Sequence, residues 1–428
     1  MSAKNRKRVA PTGKQPPSHD APLGAVFQQR GLAPDPAAGI PAVFLRSATW
    51  HPLMYRKRIA RHDTARPGDL VAIYGPDDEL LGYGVYNPRS EIAVRMLFAG
   101  ADLPDDARWQ QKFDAAISLR RDLLRLDAVT NAYRVIHAEA DGLSGLVVDR
   151  LGEVLSAEAF SLGMYQRAGA LLGRLAALCG TRHTLLRPSP QFLSQEGFQP
   201  PEVASPGLPA EVTVREFGTR FRVRFAGGHK TGFFCDQREN RRRLADFCAD
   251  RTVLDLCCYT GGFAVQAKRL GKAREVIGVE LDEEPLRLAR ENANLNQVRI
   301  RFVHSDVFAY MREMCQQGRQ YDVVVLDPPK LIRSRAEREE GTRKHFDLNR
   351  LAMRLVAPGG LLLSCTCSGL LSEADFVSLL CAAARQATCP CPPRPMQILA
   401  RTGAAADHPV AASVPETEYL KAVWMRLG

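Results

Sequence analysis

The sequence predicts a doubly wound, Rossmann-like α/β domain over residues 227–428, preceded by a small β-barrel over 41–100 and an α+β module over 108–226. Two observations carry the α/β assignment. From Val253 onward, short apolar runs alternate with helix-period segments, the pattern of a parallel sheet covered by crossover helices. The first run, Val253 to Leu256, turns through Thr260-Gly261-Gly262 straight into a helical stretch, which brings backbone N–H groups close to a ligand. A third observation predicts a small barrel or sandwich at 41–100: short β-type runs recur at regular spacing between Pro/Gly/Asp turns.

At 428 residues the chain needs two or three cores. Lys and Arg number 58 against 47 Asp and Glu, a net charge of +11. That surplus suits a nucleic-acid partner without requiring one. No apolar run reaches membrane-spanning length and no signal-peptide pattern is present, so a cytoplasmic protein without a membrane partner is expected. Its eleven cysteines are then reduced thiols. None forms a C-x-x-C pair and no Cys/His cluster has zinc-finger spacing, so no metal is expected.

Residues 1–40 read as a disordered basic tail, with Lys4, Arg6, Lys7, Arg8 and Lys14 among Pro, Gly, Ser and Ala. The barrel's runs are Ala42 to Leu45, Leu70 to Tyr74, Leu80 to Tyr86 and Ile92 to Phe98. Its turns are Arg66-Pro67-Gly68-Asp69, Gly75-Pro76-Asp77-Asp78 and Asn87-Pro88. The cluster Arg56-Lys57-Arg58 with Arg61 fits either phosphate contact or a solvated face. Residues 99–107 read as a linker. A helix follows from Trp109, with Arg120, Arg121 and Arg125 on a basic face. Asp141-Gly142 between two apolar runs signals a hairpin, which favours turn chemistry over a carboxylate pair with Glu139. A strand at 154–160 and a helix at 164–178 complete a module in which no chemistry is legible.

In the α/β domain a helix is expected at 241–249. Strands are expected at 253–257, 275–280, 300–303, 322–327, 360–366 and 420–426, with helices at 262–270, 283–296, 307–316, 346–356 and 372–386. Ligands bind beyond the carboxyl ends of such strands. Four acids fall there: Asp255, Glu280, Asp306 and Asp327. Each alone could be a surface carboxylate, and Asp306 a helix N-cap; four in register point to a nucleoside-cofactor site. The turn lacks G-x-G-x-x-G, which weakens a dinucleotide reading.

D-x-x-x-Y-T-G-G-F from Asp255, with Glu280, Asp306 and Asp327-Pro328-Pro329-Lys330, resembles the motif set of class I S-adenosylmethionine-dependent methyltransferases. The barrel resembles a PUA domain. G-H-K-T-G-F-F-x-D-Q-R-E-N, D-P-P-K, S-C-T-C-S-G-L, A-D-H-P-V and E-x-Y-L-K resemble segments of the bacterial 23S ribosomal RNA 5-methylcytosine methyltransferase family. The resemblance implies S-adenosyl-L-methionine as cofactor, held by Asp255, Tyr259, Thr260, Gly261, Glu280, Asp306 and Asp327. It implies ribosomal RNA as partner, with Asp327, Pro328, Pro329 and Lys330 facing the base. Gln237 is a candidate for the cofactor's methionine end.

Cytosine C5 is a weak nucleophile until a thiolate adds to C6, so such an enzyme needs a positioned cysteine. The family's nucleophile lies in C-S-G-L, which maps to Cys367. Cys365, two residues earlier, shares its face on an extended strand and is the alternative. Lys330 is a candidate to hold a phosphate or lower the thiol pKa. His408-Pro409 could border the site, and Arg333 to Arg343 is expected to be a loop that closes on RNA. A guanine-N methyltransferase on the same scaffold and an RNA-binding assembly factor without catalysis are the competing readings. The Pro-Cys motif of DNA cytosine methyltransferases is absent. The target nucleotide, the base that removes the C5 proton and the oligomeric state, a homodimer included, stay open.

Overall fold

The computed structural model describes residues 26–34, 39–225, 232–387 and 394–428. Most of the basic tail, the G-H-K-T segment and the loop around Cys389 and Cys391 lie outside the described residues.

Six strands form the N-terminal sheet: β1 (Ala42–Leu45), β2 (Leu53–Tyr55), β3 (Ile59–His62), β4 (Leu70–Tyr74), β5 (Leu80–Tyr86) and β6 (Ile92–Ala99), in the order β2-β6-β5-β4-β1-β3. Val43, Leu45, Met54, Val71, Ile73 and Val94 fill its interior. Gly84 has to be glycine: a Cβ there would lie 2.3 Å from the Arg95 carbonyl oxygen on the paired strand. Strands β2 and β3 were not anticipated, because three and four residues interrupted by Arg and His carry no readable alternation.

The end of the expected tail is a correction. Leu32 is buried in the core of the next module. The Trp109 indole N–H donates to the Leu32 carbonyl at 3.0 Å, and the Arg30 N–H to the Gln166 carbonyl at 2.7 Å. Arg30 also pairs with Asp69 of the barrel at 2.5 Å. A few apolar residues with satisfied backbone groups suffice to dock a segment that composition alone marks as tail.

The central module holds α1 (Asp106–Ser118), β7 (Ala132–His137), β8 (Leu146–Leu151), β9 (Val154–Ala159), α2 (Leu162–Cys179), β10 (His183–Pro188), α3 (Phe192–Glu196) and β11 (Val203–Ala204). Its sheet runs β11-β10-β9-β8-β7. The side chains of Asp105 and Ser161 cap α1 and α2. β7 and β8 do pair antiparallel across the Asp141-Gly142 step. Asp141, however, is more than a turn residue. Its carboxylate accepts from Arg120 at 2.6 and 2.9 Å and from the His137 N–H at 2.5 Å. The expected basic helical face is therefore corrected. Arg120 lies in a π-helical turn, Leu119–Leu123, and is fully buried. The wider turn points its guanidinium inward, where it also donates to the Asp407 carbonyl at 2.8 Å. Arg121 donates to the carbonyls of Leu178 and Cys179.

A hairpin, β12 (Glu211–Glu216) and β13 (Thr219–Arg224), leads into the C-terminal domain. That domain comprises α4 (Arg238–Ala245), β14 (Thr252–Leu256), α5 (Gly262–Arg269), β15 (Glu275–Glu280), α6 (Glu283–Leu295), β16 (Arg301–His304), α7 (Val307–Gln316), β17 (Tyr321–Leu326), α8 (Arg338–Arg354), β18 (Val356–Thr366), α9 (Glu373–Ala387), β19 (Met396–Thr402) and β20 (Lys421–Leu427). The order is β16-β15-β14-β17-β18-β20-β19, parallel from β16 to β18, with β20 antiparallel to both neighbours. The direction of winding reverses between β14 and β17, where such sheets open a crevice for ligands. The charged stretch expected as a loop at 333–343 is half helix, because α8 begins at Arg338. A Glu340–Lys344 pair at 2.7 Å supports its first turns.

Arg120 joins the module to the C-terminal domain through a buried charge, so its loss strands Asp141. Arg120→Ala is expected to lower unfolding free energy by about 3 to 5 kcal/mol, measured as the shift of the urea midpoint.

Candidate active site

The crevice is built around the turn that follows β14. Cys257, Tyr259 and Gly261 all have positive φ, at 59°, 48° and 79°. Such a backbone costs energy at the two non-glycine positions and persists only when held. Three contacts hold it. The Tyr259 N–H donates to Glu280 at 2.8 Å, and Asn292 donates to the Thr260 carbonyl at 3.0 Å. At Gly261 a Cβ would sit 3.1 Å from the Ala289 Cβ and 3.3 Å from the Phe302 ring, so α6 and β16 close against bare backbone. Asp255 is buried and accepts from the Ala264 N–H of α5 at 2.9 Å, while its Oδ1 has no partner. Burial pushes its carboxyl well above the usual range. Glu280, half-buried, also accepts from the Leu281 and Asp282 N–H groups at 2.8 and 3.1 Å. Asp306 is exposed and caps α7, accepting from the Ala309 N–H at 2.9 Å. Tyr259 packs edge-on to Phe234.

The strand order places these groups side by side at one end of the sheet: Asp306 beyond β16, Glu280 on β15, Asp255 and the turn on β14, Asp327 beyond β17. The donor set suits a nucleoside that carries positive charge. It offers carboxylates for hydroxyl and amine groups, one orphaned buried acceptor, and bare backbone at Gly261, where a side chain has no room.

Next along the sheet comes a chain of polar side chains ending on Asp327. Trp424 donates to Thr402 at 2.9 Å, Thr402 to Asn240 at 2.8 Å, Asn240 to Gln237 at 2.7 Å and Gln237 to Asp327 at 3.0 Å. Gln237, a sequence candidate for the cofactor's methionine end, has its amide committed to Asp327 and Asn240. Pro328 is buried, whereas Pro329 and Lys330 are exposed. The loop that follows is tied to the cysteine loop by the Ile332 N–H, which donates to the Ser368 hydroxyl at 3.3 Å.

Cys365 and Cys367 part company at the end of β18. Cys365 is fully buried inside the strand, and burial drives its thiol well above the ordinary value, with Asp327 adding to the rise. Such a thiol packs and does not react. Cys367 lies one residue past the strand and is half-buried. Its loop is shaped by Thr366, which accepts from the Ser368 N–H at 3.2 Å and pairs with buried His345 at 3.1 Å. Across from it on β20, Lys421 pairs in register with Thr366. Lys421 is 5% exposed, and its Nζ donates to the carbonyls of Ser368 and Tyr419, each at 3.3 Å. His408 does not border an open site. It is buried against Asp407 at 3.2 Å and packs on His137.

Asn292 and Lys421 were not singled out from the sequence. Lys421 stands in the noted E-x-Y-L-K segment, but nothing local shows that its amine turns inward. Asn292 reads as one more polar residue of an amphipathic helix.

Residues 199–391 match the family model of S-adenosylmethionine-dependent methyltransferases, and residues 48–98 match a PUA-like domain. With the reversal crevice and its acids, these define an S-adenosylmethionine-dependent methyltransferase carrying a PUA-like domain. The ribosomal RNA large subunit methyltransferase I of Photobacterium profundum is 34% identical over 87% of this chain and 94% of its own length. That of Klebsiella pneumoniae strain 342 is 35% identical over 87% and 93%. The chain belongs to this family of ribosomal RNA large subunit methyltransferase I proteins. A protein solved in complex with SAH shares the fold, with a TM-score of 0.72 and 18% identity over 90% of this chain and 99% of that one.

Burial holds the His345 imidazole down at about 4. An unfolded histidine titrates near 6.5, so below that pH the unfolded chain binds a proton that the folded chain does not. The resulting stability is fully present above about pH 6.5 and is lost as the pH falls toward about 4. Urea unfolding at pH 5 and pH 7.5 should show a loss that shrinks by about 2 kcal/mol in His345→Gln.

Proposed function

We propose that the chain transfers a methyl group to C5 of a cytosine in 23S ribosomal RNA through a covalent adduct between Cys367 and C6. The observation that carries this reading is the strand order. The cofactor-side acids end on β16, β15 and β14, Asp327 follows on β17, and Cys367 leaves β18 on the far side. A base inserted over Asp327 would meet the cofactor turn on one side and a sulfur nucleophile on the other.

When bound, S-adenosyl-L-methionine supplies a methyl group activated on a sulfonium. Glu280 would take the ribose hydroxyls, Asp306 the adenine amine, and the Tyr259-Thr260-Gly261 turn with Asp255 the methionine end. Cys367 adds to C6 as the thiolate, which makes C5 enamine-like. Asp327 holds the N3/N4 edge of the cytosine and stabilises its protonated form, a charge-assisted contact. Gln237 keeps that carboxylate in place. Pro329 offers an apolar edge to a base taken out of its stack. Loss of the C5 proton then expels Cys367 and restores the C5–C6 double bond.

The names of the relatives support ribosomal RNA as the substrate. The barrel adds a physical reason. Trp50 and Tyr55 are exposed, as are Arg56, Lys57 and Arg58 that follow Tyr55 in the chain, residue types that stack on bases and neutralise phosphates.

Cys367→Ala should bind the cofactor with unchanged affinity by calorimetry. Its methyl transfer to ribosomal RNA should fall by on the order of a thousandfold or more. Mass analysis of nucleosides from the modified RNA should find 5-methylcytidine; a methylguanosine formed by both proteins would replace this reading with the guanine-N one.

A further inference from the structure

A free thiol titrates near 8.5 and is only a few per cent thiolate at neutral pH. Cys367 therefore needs a neighbour that takes its proton. Lys330 was the sequence candidate, but it is exposed on its loop. The C-terminal strand supplies a better placed amine. Because β20 runs antiparallel beside β18 with Lys421 opposite Thr366, the lysine sits one residue from Cys367, on the side away from the cofactor strands.

The surroundings of Lys421 are unusual for a lysine. It is almost wholly buried, yet among the described residues no carboxylate comes within ion-pair range of Nζ. Glu418 and Glu373 act on it only from farther away. Its two hydrogen-bond partners, the Ser368 and Tyr419 carbonyls, are both neutral acceptors. Once it has released its proton, an amine that gives two hydrogens to two carbonyls has its lone pair left for a third partner. Cys367 lies within electrostatic reach of that amine.

We propose that Lys421 takes the proton of the Cys367 thiol and then holds the sulfur as an ammonium–thiolate pair. The S–H bond breaks with its electrons left on sulfur, and the proton bonds to Nζ, so no other reactant is needed. This rests on the reading of Cys367 as the nucleophile.

Burial lowers the affinity of Lys421 for a proton, and the like charge of Lys330 lowers it further, while Cys367, Glu418 and Glu373 pull the other way. A purely structural role fits poorly, because a buried amine without an ion pair costs stability that an apolar side chain of the same length would not.

The test uses the full-length protein. Iodoacetamide labelling of Cys367 is followed across pH 5.5 to 9.5 by mass analysis of its peptide, in wild type and in Lys421→Met. The wild-type labelling midpoint is expected well below that of a free thiol. In Lys421→Met it should move up by at least one unit, a tenfold slower labelling near neutral pH. SAH affinity should stay within about twofold and thermal stability should hold or rise. A wild-type midpoint at or above about 8.5 overturns the proposal even if the variant does not fold. An unchanged midpoint in a folded variant that still makes 5-methylcytidine overturns it and leaves the cytosine reading intact. A shifted midpoint without 5-methylcytidine in any product supports the Lys421–Cys367 pair and removes the cytosine reading.

Discussion

One buried carboxylate, that of Asp407, organises the junction on which the site depends. It is fully shielded from solvent and accepts from Arg238 at 2.8 and 3.1 Å, from the Arg134 N–H at 2.7 Å and from His408 at 3.2 Å. These partners hold it well below the usual carboxylate range against the opposing effect of burial. Arg120 donates from Nη2 to the backbone carbonyl of the same residue and clasps Asp141 with Nη1 and Nη2 together. The central module and the C-terminal domain thus meet through charges that neither could leave exposed to a dry interior alone. Such pairs add little net stability, because desolvation cancels most of the attraction, but removing one partner is costly. Their effect is geometric: the loop from Gly403 to Leu420 has a single place to sit.

That placement reaches the chemistry directly. With Asp407 docked, the Ala405 N–H donates to the Asp236 carbonyl at 2.8 Å, and Tyr419 reaches the Asp236 carboxylate at 2.5 Å. The segment bearing Gln237 is thereby set beside β17, and Lys421 enters β20 opposite the end of β18. A second buried pair, Arg241 with Glu216 at 2.6 Å, fixes the same helix to the β12–β13 hairpin. The site is therefore a joint product of three layers of the molecule. The α/β domain contributes the acids, and its neighbours fix the orientation of the polar chain that ends on Asp327.

Much of the fold was legible. Strands such as β15 and helices such as α7 matched their expected spans because parallel, doubly covered strands are uninterrupted apolar runs and their helices keep strict amphipathic period. The docked segment around Leu32 was hidden by its polar, Pro-rich company. β19, with its half-exposed alternation, was missed at the sheet edge. The start of α8 was obscured by charge, since Arg338 to Lys344 stabilises a helix through pairs along its surface and shows no apolar stripe there. Arg120 was misread because one extra residue in a π-helical turn rotates a side chain from solvent to core, and composition carries no sign of that.

The sequence by itself determined the chemistry on offer: a glycine turn, four acids at strand ends, and a cysteine beyond a fifth strand. These follow from local pattern, since strand ends and turns are set by residues close in the chain. Only the tertiary structure decided which groups meet. It separated buried Cys365 from half-buried Cys367, turned Gln237 toward Asp327, and set Lys421 of the C-terminal strand opposite Thr366, the residue before Cys367. The physical reason is that sheet order and buried charge pairs join residues tens to hundreds of positions apart, and no local pattern records such distances.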